Sequence, residues 1–166
     1  MQLILAVGMT GQGKTHFVTE AAIKDKACLV FDVNNEYEYL PTNQPKAIQS
    51  RFVGDYKEFL EIVAQKRNTN IVFEEATGFF AGAVSKDVKK LIINKRHTKN
   101  NYFFIFHSWR SVPPGIFDLV NYCKVFKTND NPDLVLKKYP QIYTAWVEVM
   151  RTDKRYVSKL VPLIQN

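Results

Sequence analysis

The sequence has no apolar stretch as long as a membrane-spanning helix and only two cysteines, and each absence excludes a class of protein. A helix that crosses a bilayer needs about 20 predominantly apolar residues, so no membrane segment is predicted. Cys28 and Cys123 have neither the spacing of metal ligands nor the numbers of a disulfide framework. They are expected to be buried thiols in a reducing cytosol.

Linker-like composition is also missing, since no Pro-, Gly- or Ser-rich tract, repeat or low-complexity segment divides the chain. Hydrophobic residues make up 46% of the 166 residues and charged residues 23%, which is typical of a folded globular protein. A chain of this length can bury one sizeable core and is short for two. The sequence therefore predicts a single domain over residues 1–166.

Positive charge exceeds negative charge, with a formal net charge of +7. Such a balance suits a polyanionic partner, although many globular domains are mildly basic without one. The charge is concentrated between Ser85 and Lys99, where six Lys or Arg residues accompany a single acid. Taken alone, this segment is better explained as a solvated helix face than as a nucleic-acid contact.

Strand-like and helix-like patterns alternate along the chain. Apolar or β-branched runs of strand length occur at 2–7, 27–33, 48–53, 70–73 and 102–106, and a last strand is predicted at 154–161. Helical periodicity is found at 14–24, 55–67, 84–96 and 141–151. This alternation predicts an α/β fold in which a mostly parallel central sheet is flanked by helices.

The first predicted strand leads into a glycine-rich loop and then into a helix. The segment GMTGQGKT, residues 8–15, satisfies G-x-x-x-x-G-K-[ST] in the strand–loop–helix context that this motif requires. Its backbone N–H groups and the helix N-terminus would cradle phosphates, Lys14 would reach the β- and γ-phosphates, and Thr15 would join a Mg²⁺ shell. The predicted nucleotide-binding residues are Gly8, Thr10, Gly11, Gln12, Gly13, Lys14, Thr15 and His16.

An acidic pair follows the strand at 70–73. Glu74, where Asp is the more usual residue, is predicted to contact Mg²⁺ directly or through water, and Glu75 to polarise the attacking water. A glutamate that activates water favours hydrolysis over transfer to another acceptor. The alternative is that both carboxylates cap the following helix.

Three further segments make the chain resemble the HerA/FtsK group of RecA-type ATPases, which includes DNA-pumping motors and viral genome-packaging enzymes. FDVNNEYEYL, residues 31–40, matches the group's strand-end segment at Asp32, Glu36 and Tyr37, with Asn35 in place of a glycine. YFFIFHSWRSVPP occupies the position of a strand that ends in Thr-Gln-Arg-Pro in the group, and NYCKVFKTND resembles its last core strand.

The resemblance implies roles for residues around that Thr-Gln-Arg-Pro position. The polar residue there senses the γ-phosphate in the group, and His107 is the first candidate here, with Ser108 second. An arginine before the strand serves the neighbouring subunit's nucleotide, and Arg96 matches it in spacing. Arg110 is the alternative, and a surface arginine without a special role competes with both. A strand-end histidine bonded to backbone is likewise an alternative for His107.

The resemblance also implies a RecA-like, ASCE-type P-loop fold in which the strand at 102–106 lies between the phosphate-loop strand and the acid-bearing strand. It implies a homo-oligomeric ring, a hexamer or pentamer, through which double-stranded DNA passes. The candidate DNA contacts are three lysines near the TGFFAGAV segment, namely Lys86, Lys89 and Lys90. The alternative is that Phe79 and Phe80 are core residues and that the lysines solubilise the surface.

The predicted function is that of an ATP-hydrolysing double-stranded DNA translocase, as in a viral genome-packaging motor. A capsid vertex is then a candidate docking partner, and association with the virion a candidate location. A nucleoside kinase like the type II thymidine kinases is a second reading, although two distant cysteines cannot build the four-cysteine zinc lobe that those enzymes usually carry. A third is an ATPase for filamentous-virus assembly or secretion, a class that more often has a membrane segment.

Overall fold

A computed structural model describes residues 1–24, 26–80 and 84–163 of the chain. Seven strands form one sheet, in the order β3-β2-β4-β5-β1-β6-β7. The strands are β1 (Leu3–Val7), β2 (Cys28–Phe31), β3 (Gln49–Phe52), β4 (Asn70–Phe73), β5 (Asn101–Phe106), β6 (Tyr122–Phe126) and β7 (Ser158–Pro162). Neighbouring strands are parallel except β7, which pairs antiparallel with β6. The predicted mostly parallel α/β sheet is confirmed.

The helices connect consecutive strands and lie on both faces of the sheet. They are α1 (Lys14–Val18), which continues as a π-helical turn (Thr19–Ile23), α2 (Tyr56–Gln65), α3 (Lys86–Ile93), α4 (Lys95–Thr98), α5 (Pro114–Phe117), α6 (Pro132–Lys138) and α7 (Pro140–Arg151). Short 3₁₀ turns follow β4 (Ala76–Phe79) and β5 (Trp109–Ser111). Among the described residues, no helix has the length and apolar character needed to cross a bilayer.

Each face of the sheet carries its own layer of buried apolar side chains. One layer packs α1 and the segment containing Tyr37 and Leu40 against the sheet, and the other packs α2, α3, α6 and α7. The second layer is rich in aromatic rings, with Phe73 and Phe104 of adjacent strands stacked at 4.6 Å. Strands covered on both faces must be apolar throughout, which explains the continuous apolar runs in the sequence.

Local signals set the bounds of several helices. Asp55 caps α2 by accepting hydrogen bonds from the backbone N–H groups of Lys57 at 2.8 Å and Glu58 at 3.3 Å. Ser85 caps α3 in the same way, accepting from Val88 N–H at 3.3 Å. The single helix predicted at 84–96 is instead two helices, because the backbone leaves the helical conformation at Asn94.

The order of the central strands was expected from the resemblance and is confirmed. β5 pairs with β1 on one side and with β4 on the other. Parallel strands end at the same edge of a sheet, so the loops that follow β1, β2, β4 and β5 meet at one edge. Apart from Arg96, the candidate nucleotide-binding and catalytic side chains come from these loops and from the start of α1.

Candidate functional site

The phosphate loop is anchored between the ends of two neighbouring strands. Gly8 N–H donates to the carbonyl of Phe106 at 3.0 Å, and Met9 N–H donates to the carbonyl of Lys127 at 2.9 Å. A Cβ atom on Gly8 would lie 2.4 Å from the Cβ of Phe126, far inside van der Waals contact. Position 8 therefore requires glycine because β6 approaches the loop closely.

The loop then curls around a cavity of about 260 Å³ at the N-terminus of α1. Gly11 and Gly13 have φ values of 76° and 92°, in the left-handed region that glycine adopts without a steric penalty. Among the predicted nucleotide-binding residues, the cavity is lined by Thr10, Gly11, Gly13, Lys14 and Thr15. Gln12 and His16 line an adjoining cavity instead.

Lys14 is buried at the base of the cavity, with 6% of its surface exposed. Its Nζ donates to the carbonyl of Met9 at 3.1 Å and lies 3.4 Å from Nδ1 of His107. Burial lowers the pKa of the Lys14 ammonium, and the negative charges of Glu74, Glu36 and Glu75 partly offset this effect. The ammonium is thus largely shielded from water, and the three carboxylates favour its charged form.

Glu74 lies beside Lys14 and is almost completely buried. Its carboxylate accepts a hydrogen bond of 2.9 Å from the hydroxyl of Tyr37, which is itself fully buried. Burial raises the pKa of Glu74 to about 7, although the Tyr37 hydrogen bond and the Lys14 charge act in the opposite direction. The backbone N–H of Glu74 donates to the carbonyl of Phe31, so this carboxylate is held by β2 as well as by its own strand.

Glu75 and His107 meet at the ends of β4 and β5. The Nε2 atom of His107 contacts the carboxylate of Glu75, while its Nδ1 atom faces Lys14. A neutral imidazole with its proton on Nε2 satisfies both contacts, donating to Glu75 and accepting from Lys14. Glu75 has a φ of 53°, an uncommon backbone conformation for a side chain of this kind that is found preferentially at functional sites.

Ser108 has a different environment from His107. Its hydroxyl lies 3.0 Å from the hydroxyl of Ser111, within the 3₁₀ turn that follows β5. Of the two candidates for the γ-phosphate sensor, His107 is therefore the one whose contacts include both Lys14 and the second acid of the pair.

A third carboxylate, that of Glu36, also lines the phosphate cavity. It accepts a hydrogen bond from the hydroxyl of Thr15, the residue predicted to join a Mg²⁺ shell. The sequence marked Glu36 and Tyr37 only as matches to a related group and gave them no role. A local pattern cannot reveal the contact with Thr15, because the two residues follow β1 and β2, which are separated in the sheet by β4 and β5 and end at the same edge.

Asp32, at the end of β2, holds the segment that carries Glu36 and Tyr37. Its carboxylate accepts from the backbone N–H groups of Glu36 at 2.9 Å and Tyr37 at 3.1 Å. Arg51 of β3 donates to the same carboxylate at 3.0 Å, so the buried negative charge is paired. This arrangement fixes both the carboxylate next to Thr15 and the phenol that binds Glu74.

The oxygen atoms around Thr15 suit a hard divalent cation. Mg²⁺ prefers oxygen ligands, usually keeps several waters and is bound by few protein groups together with substrate phosphates. The Thr15 hydroxyl and the Glu36 carboxylate that accepts its hydrogen bond supply such oxygens. Glu74 is close enough for the charge of Glu36 to raise its pKa. Within the described ranges, no cluster of three or more His, Cys, Asp or Glu side chains forms a metal site without a substrate.

Arg96 lies at the opposite edge of the sheet from this site. It is exposed on α4, before the start of β5, whereas His107 directly follows the end of that strand. The six residues of β5 span about 20 Å, more than an arginine side chain can reach. Arg96 is therefore too far away to contact a nucleotide in its own subunit. Arg110 is exposed on the 3₁₀ turn after β5, at the same edge as the cavity.

The three candidate DNA-contacting lysines, Lys86, Lys89 and Lys90, are all exposed on α3. Phe80, which precedes this helix, is buried and packs against Phe104 and Phe106 at centroid distances of 5.3 and 5.9 Å. Phe80 is thus a core residue. Residues 81–83 of the predicted TGFFAGAV loop lie outside the described residues, as does the side chain of Phe79.

Comparisons with known proteins give matches only at the level of structure. No protein-family model matches the sequence, and no curated protein matches it either. The genome packaging NTPase B204 from Sulfolobus turreted icosahedral virus 2, in complex with AMPPCP, is similar with a TM-score of 0.74 and 17% identity, over 98% of each chain. The DNA-packaging ATPase B204 from Sulfolobus turreted icosahedral virus is similar with a TM-score of 0.70 and 14% identity, also over 98% of each chain.

A third similar structure is the N-terminal domain of zonular occludens toxin from Neisseria meningitidis. It has a TM-score of 0.53 and 15% identity, and the match covers 82% of this chain and 89% of that domain. At such low identities, the likeness of all three structures establishes the fold. The chain shares its fold with the two genome-packaging proteins, and this is the kind of fold that the resemblance implied.

Proposed function

We propose that this chain is an ATP-hydrolysing subunit of a viral genome-packaging motor that acts on double-stranded DNA. The observation that carries the proposal is that Lys14, Thr15 and His107 line one cavity at the carboxyl edge of the sheet, where His107 contacts Glu75 and the charge of Glu74 acts on Lys14. Solved structures that share the fold over almost the whole chain are described as genome-packaging NTPases, and one contains the ATP analogue AMPPCP.

In this proposal each group has a defined task in ATP hydrolysis. The loop amides and the Lys14 ammonium bind the β- and γ-phosphates. Thr15 and Glu74, with Glu36 nearby, hold Mg²⁺, which when bound neutralises charge on the phosphate oxygens. Glu75 polarises the attacking water, and His107 orients Glu75 and contacts the terminal phosphate.

The proposal extends to a ring of identical subunits in which an arginine completes the neighbouring site. Arg96 cannot reach its own cavity, and the fork of donors on an arginine can stabilise charge that develops on the γ-phosphate. A closed ring supplies such a neighbour to every subunit. The ring, and its docking at a capsid vertex inside an infected cell or on the virion, are parts of the proposal.

The experiment that tests this function measures ATP turnover with and without double-stranded DNA, with nucleosides added as competing phosphoryl acceptors. We expect DNA to stimulate release of inorganic phosphate. We also expect Glu75→Gln to bind ATP but to hydrolyse it at least 100-fold more slowly, because water is no longer polarised. Lys14→Ala should abolish tight ATP binding, whereas Glu61→Gln, an exposed carboxylate on α2, should match the wild type.

Other outcomes would reject parts of the proposal. Phosphorylated nucleoside among the products would identify a kinase. Turnover that DNA does not change would reject the motor while leaving the ATPase, and wild-type turnover by Glu75→Gln would exclude Glu75 as the water-activating group. Unchanged ATP affinity in Lys14→Ala would reject the phosphate loop itself.

The DNA contacts are tested with two matched pairs of exposed lysines. Replacing Lys89 and Lys90 on α3 with glutamine should weaken DNA binding and reduce its salt dependence, since each lost phosphate contact lowers the slope of log K against log salt by about 0.9. The same change at Lys137 and Lys138 on α6 is the control. Equal effects of the two pairs would show that only net charge matters.

A further inference from the structure

A second cavity, of about 620 Å³, adjoins the phosphate cavity. Its walls come from α1, β6 and the turn before β7. Gly13 and Tyr156 line both cavities, so the two spaces meet at these residues. The larger cavity falls within the range of about 300–1,000 Å³ that is usual for small-molecule sites.

We propose that the larger cavity binds the aromatic base and the ribose of the nucleotide, and that Tyr156 is the residue that holds the base. This inference rests on the proposed function, because it takes the triphosphate to lie in the adjoining phosphate cavity. A nucleotide whose phosphates follow the loop to Gly13 has to continue past Tyr156. The space that it enters there is the cavity between α1 and β6.

The walls of the larger cavity suit a flat aromatic group with polar edges. Phe17 of α1 and Phe126 of β6 form the apolar side, with ring centroids 6.3 Å apart in an edge-to-face arrangement. The Lys124 ammonium lies 5.5 Å from the Phe17 ring centroid and supplies a hydrogen-bond donor beside this apolar side. Phe126 also touches Gly8, so the wall of the base site and the phosphate loop are in direct contact.

Tyr156 has two features that a structural role does not explain. Its side chain is a large ring that remains 65% exposed, and it lies against Gly13, with its Cδ1 atom 3.5 Å from the position of a Cβ on that glycine. Its φ is 59°, in the left-handed region that a bulky residue rarely adopts. A base stacked on the ring would cover this exposed surface, and binding of the base would account for the unusual backbone conformation.

The test compares the binding of ATP with that of inorganic tripolyphosphate, both with Mg²⁺, by titration calorimetry. Tyr156→Asn removes the ring but keeps a residue that tolerates the left-handed region. We expect this variant to bind ATP about tenfold more weakly, the loss typical of one aromatic–base stack, and to bind tripolyphosphate within about twofold of the wild type. Tyr156→Phe keeps the ring and should bind both ligands as the wild type does.

The control is Leu160→Ala, which removes a half-exposed side chain from β7 that lines neither the larger cavity nor the phosphate cavity. Thermal melting of each variant confirms that it is folded. Wild-type ATP affinity in Tyr156→Asn would overturn the inference. So would an equal loss of ATP and tripolyphosphate affinity, which would make Tyr156 a brace for the phosphate loop.

Failure of the proposed function gives a different result from failure of this inference. If phosphates do not bind at the loop, Lys14→Ala leaves tripolyphosphate affinity unchanged, whatever the Tyr156 variants do. If they do bind there and Tyr156→Asn binds ATP normally, the phosphate site stands and the assignment of the base to the larger cavity is wrong.

Discussion

The hydroxyl of Tyr37 donates a hydrogen bond of 2.9 Å to the carboxylate of Glu74, and both side chains are buried. This bond joins the segment after β2 to the acid at the end of β4. The Tyr37 side chain, from the segment after β2, thus fixes the position of the carboxylate that we propose as a Mg²⁺ ligand. Because Asp32 and Arg51 hold the backbone of the Tyr37 segment, the geometry extends from β3 across to β4.

Replacing Tyr37 with phenylalanine keeps the ring and removes only the hydrogen bond. We expect the free energy of unfolding at pH 8 to fall by about 2 kcal/mol, since a buried ionised carboxylate loses its donor. The pKa of Glu74 should rise further, because the phenol stabilises the ionised form. Denaturant unfolding measures the first effect. Tyr39→Phe, which changes an exposed ring, is the control. A Tyr37→Phe protein as stable as the wild type would show that the hydrogen bond does not stabilise the ionised Glu74 carboxylate.

The raised pKa of Glu74 predicts a pH-dependent stability for the metal-free protein. The folded state holds a proton on Glu74 up to about pH 7, whereas the unfolded chain releases it near 4.5, so the unfolded state binds fewer protons between these values. The contribution of Glu74 to stability therefore falls as pH rises through this window. Glu74→Gln should be more stable than the wild type by about 3 kcal/mol at pH 8 and equal to it at pH 4.

Denaturant unfolding in the presence of a chelator, at pH values from 4 to 8, checks this prediction. Glu61→Gln on the surface of α2 serves as the control and should show a flat difference from the wild type. A stability difference between Glu74→Gln and the wild type that does not change with pH would show that folding does not shift the pKa of Glu74.

The sequence predicts those parts of the molecule that depend on local physics. Buried parallel strands must be apolar along their whole length, so β1, β2, β4 and β5 are recognisable as runs. The phosphate loop is recognisable because its glycines, Lys14 and Thr15 follow a strand at fixed spacing. The position of β5 between β1 and β4 has no local signal and was expected only from the resemblance to known ATPases.

What local patterns miss is the meeting of distant segments. Tyr156 lies beside Gly13 although 142 residues separate them in the chain, and only the antiparallel return of β7 alongside β6 brings them together. The predicted strand at 154–161 in fact begins at Ser158, because the left-handed backbone at Tyr156 belongs to a turn. The contact between Glu36 and Thr15 likewise depends on the sheet, in which β1 and β2 are separated by β4 and β5 and end at the same edge.

The position of Arg96 makes a prediction about assembly. If this side chain completes a neighbouring site, a mixture of Arg96→Ala and Glu75→Gln subunits should recover activity that neither variant has alone. Random mixing in equal amounts gives an intact Glu75 next to an intact Arg96 at about a quarter of the interfaces in a ring. ATP turnover of the mixture, after verified subunit exchange, should therefore approach about a quarter of the wild-type value.

The same mixture prepared with Arg110→Ala in place of Arg96→Ala is the matched experiment. Recovery with the Arg110 variant and not with the Arg96 variant would transfer the role to Arg110, which lies at the carboxyl edge of the sheet. Full activity of Arg96→Ala by itself would show that Arg96 has no part in hydrolysis.

The contacts of His107 with Lys14 and Glu75 predict that its loss slows hydrolysis more than it weakens ATP binding. His107→Ala should lower kcat about 10- to 100-fold, because Glu75 loses the imidazole that orients it, while ATP affinity changes by less than about threefold. Glutamine can donate and accept at a similar reach, so His107→Gln should restore part of kcat. Ser108→Ala is the control, since that hydroxyl is paired with Ser111. Single-turnover hydrolysis measures the effect on kcat, and ATP titration measures the effect on affinity. Slow hydrolysis by Ser108→Ala together with wild-type hydrolysis by His107→Ala would assign the role to Ser108 instead.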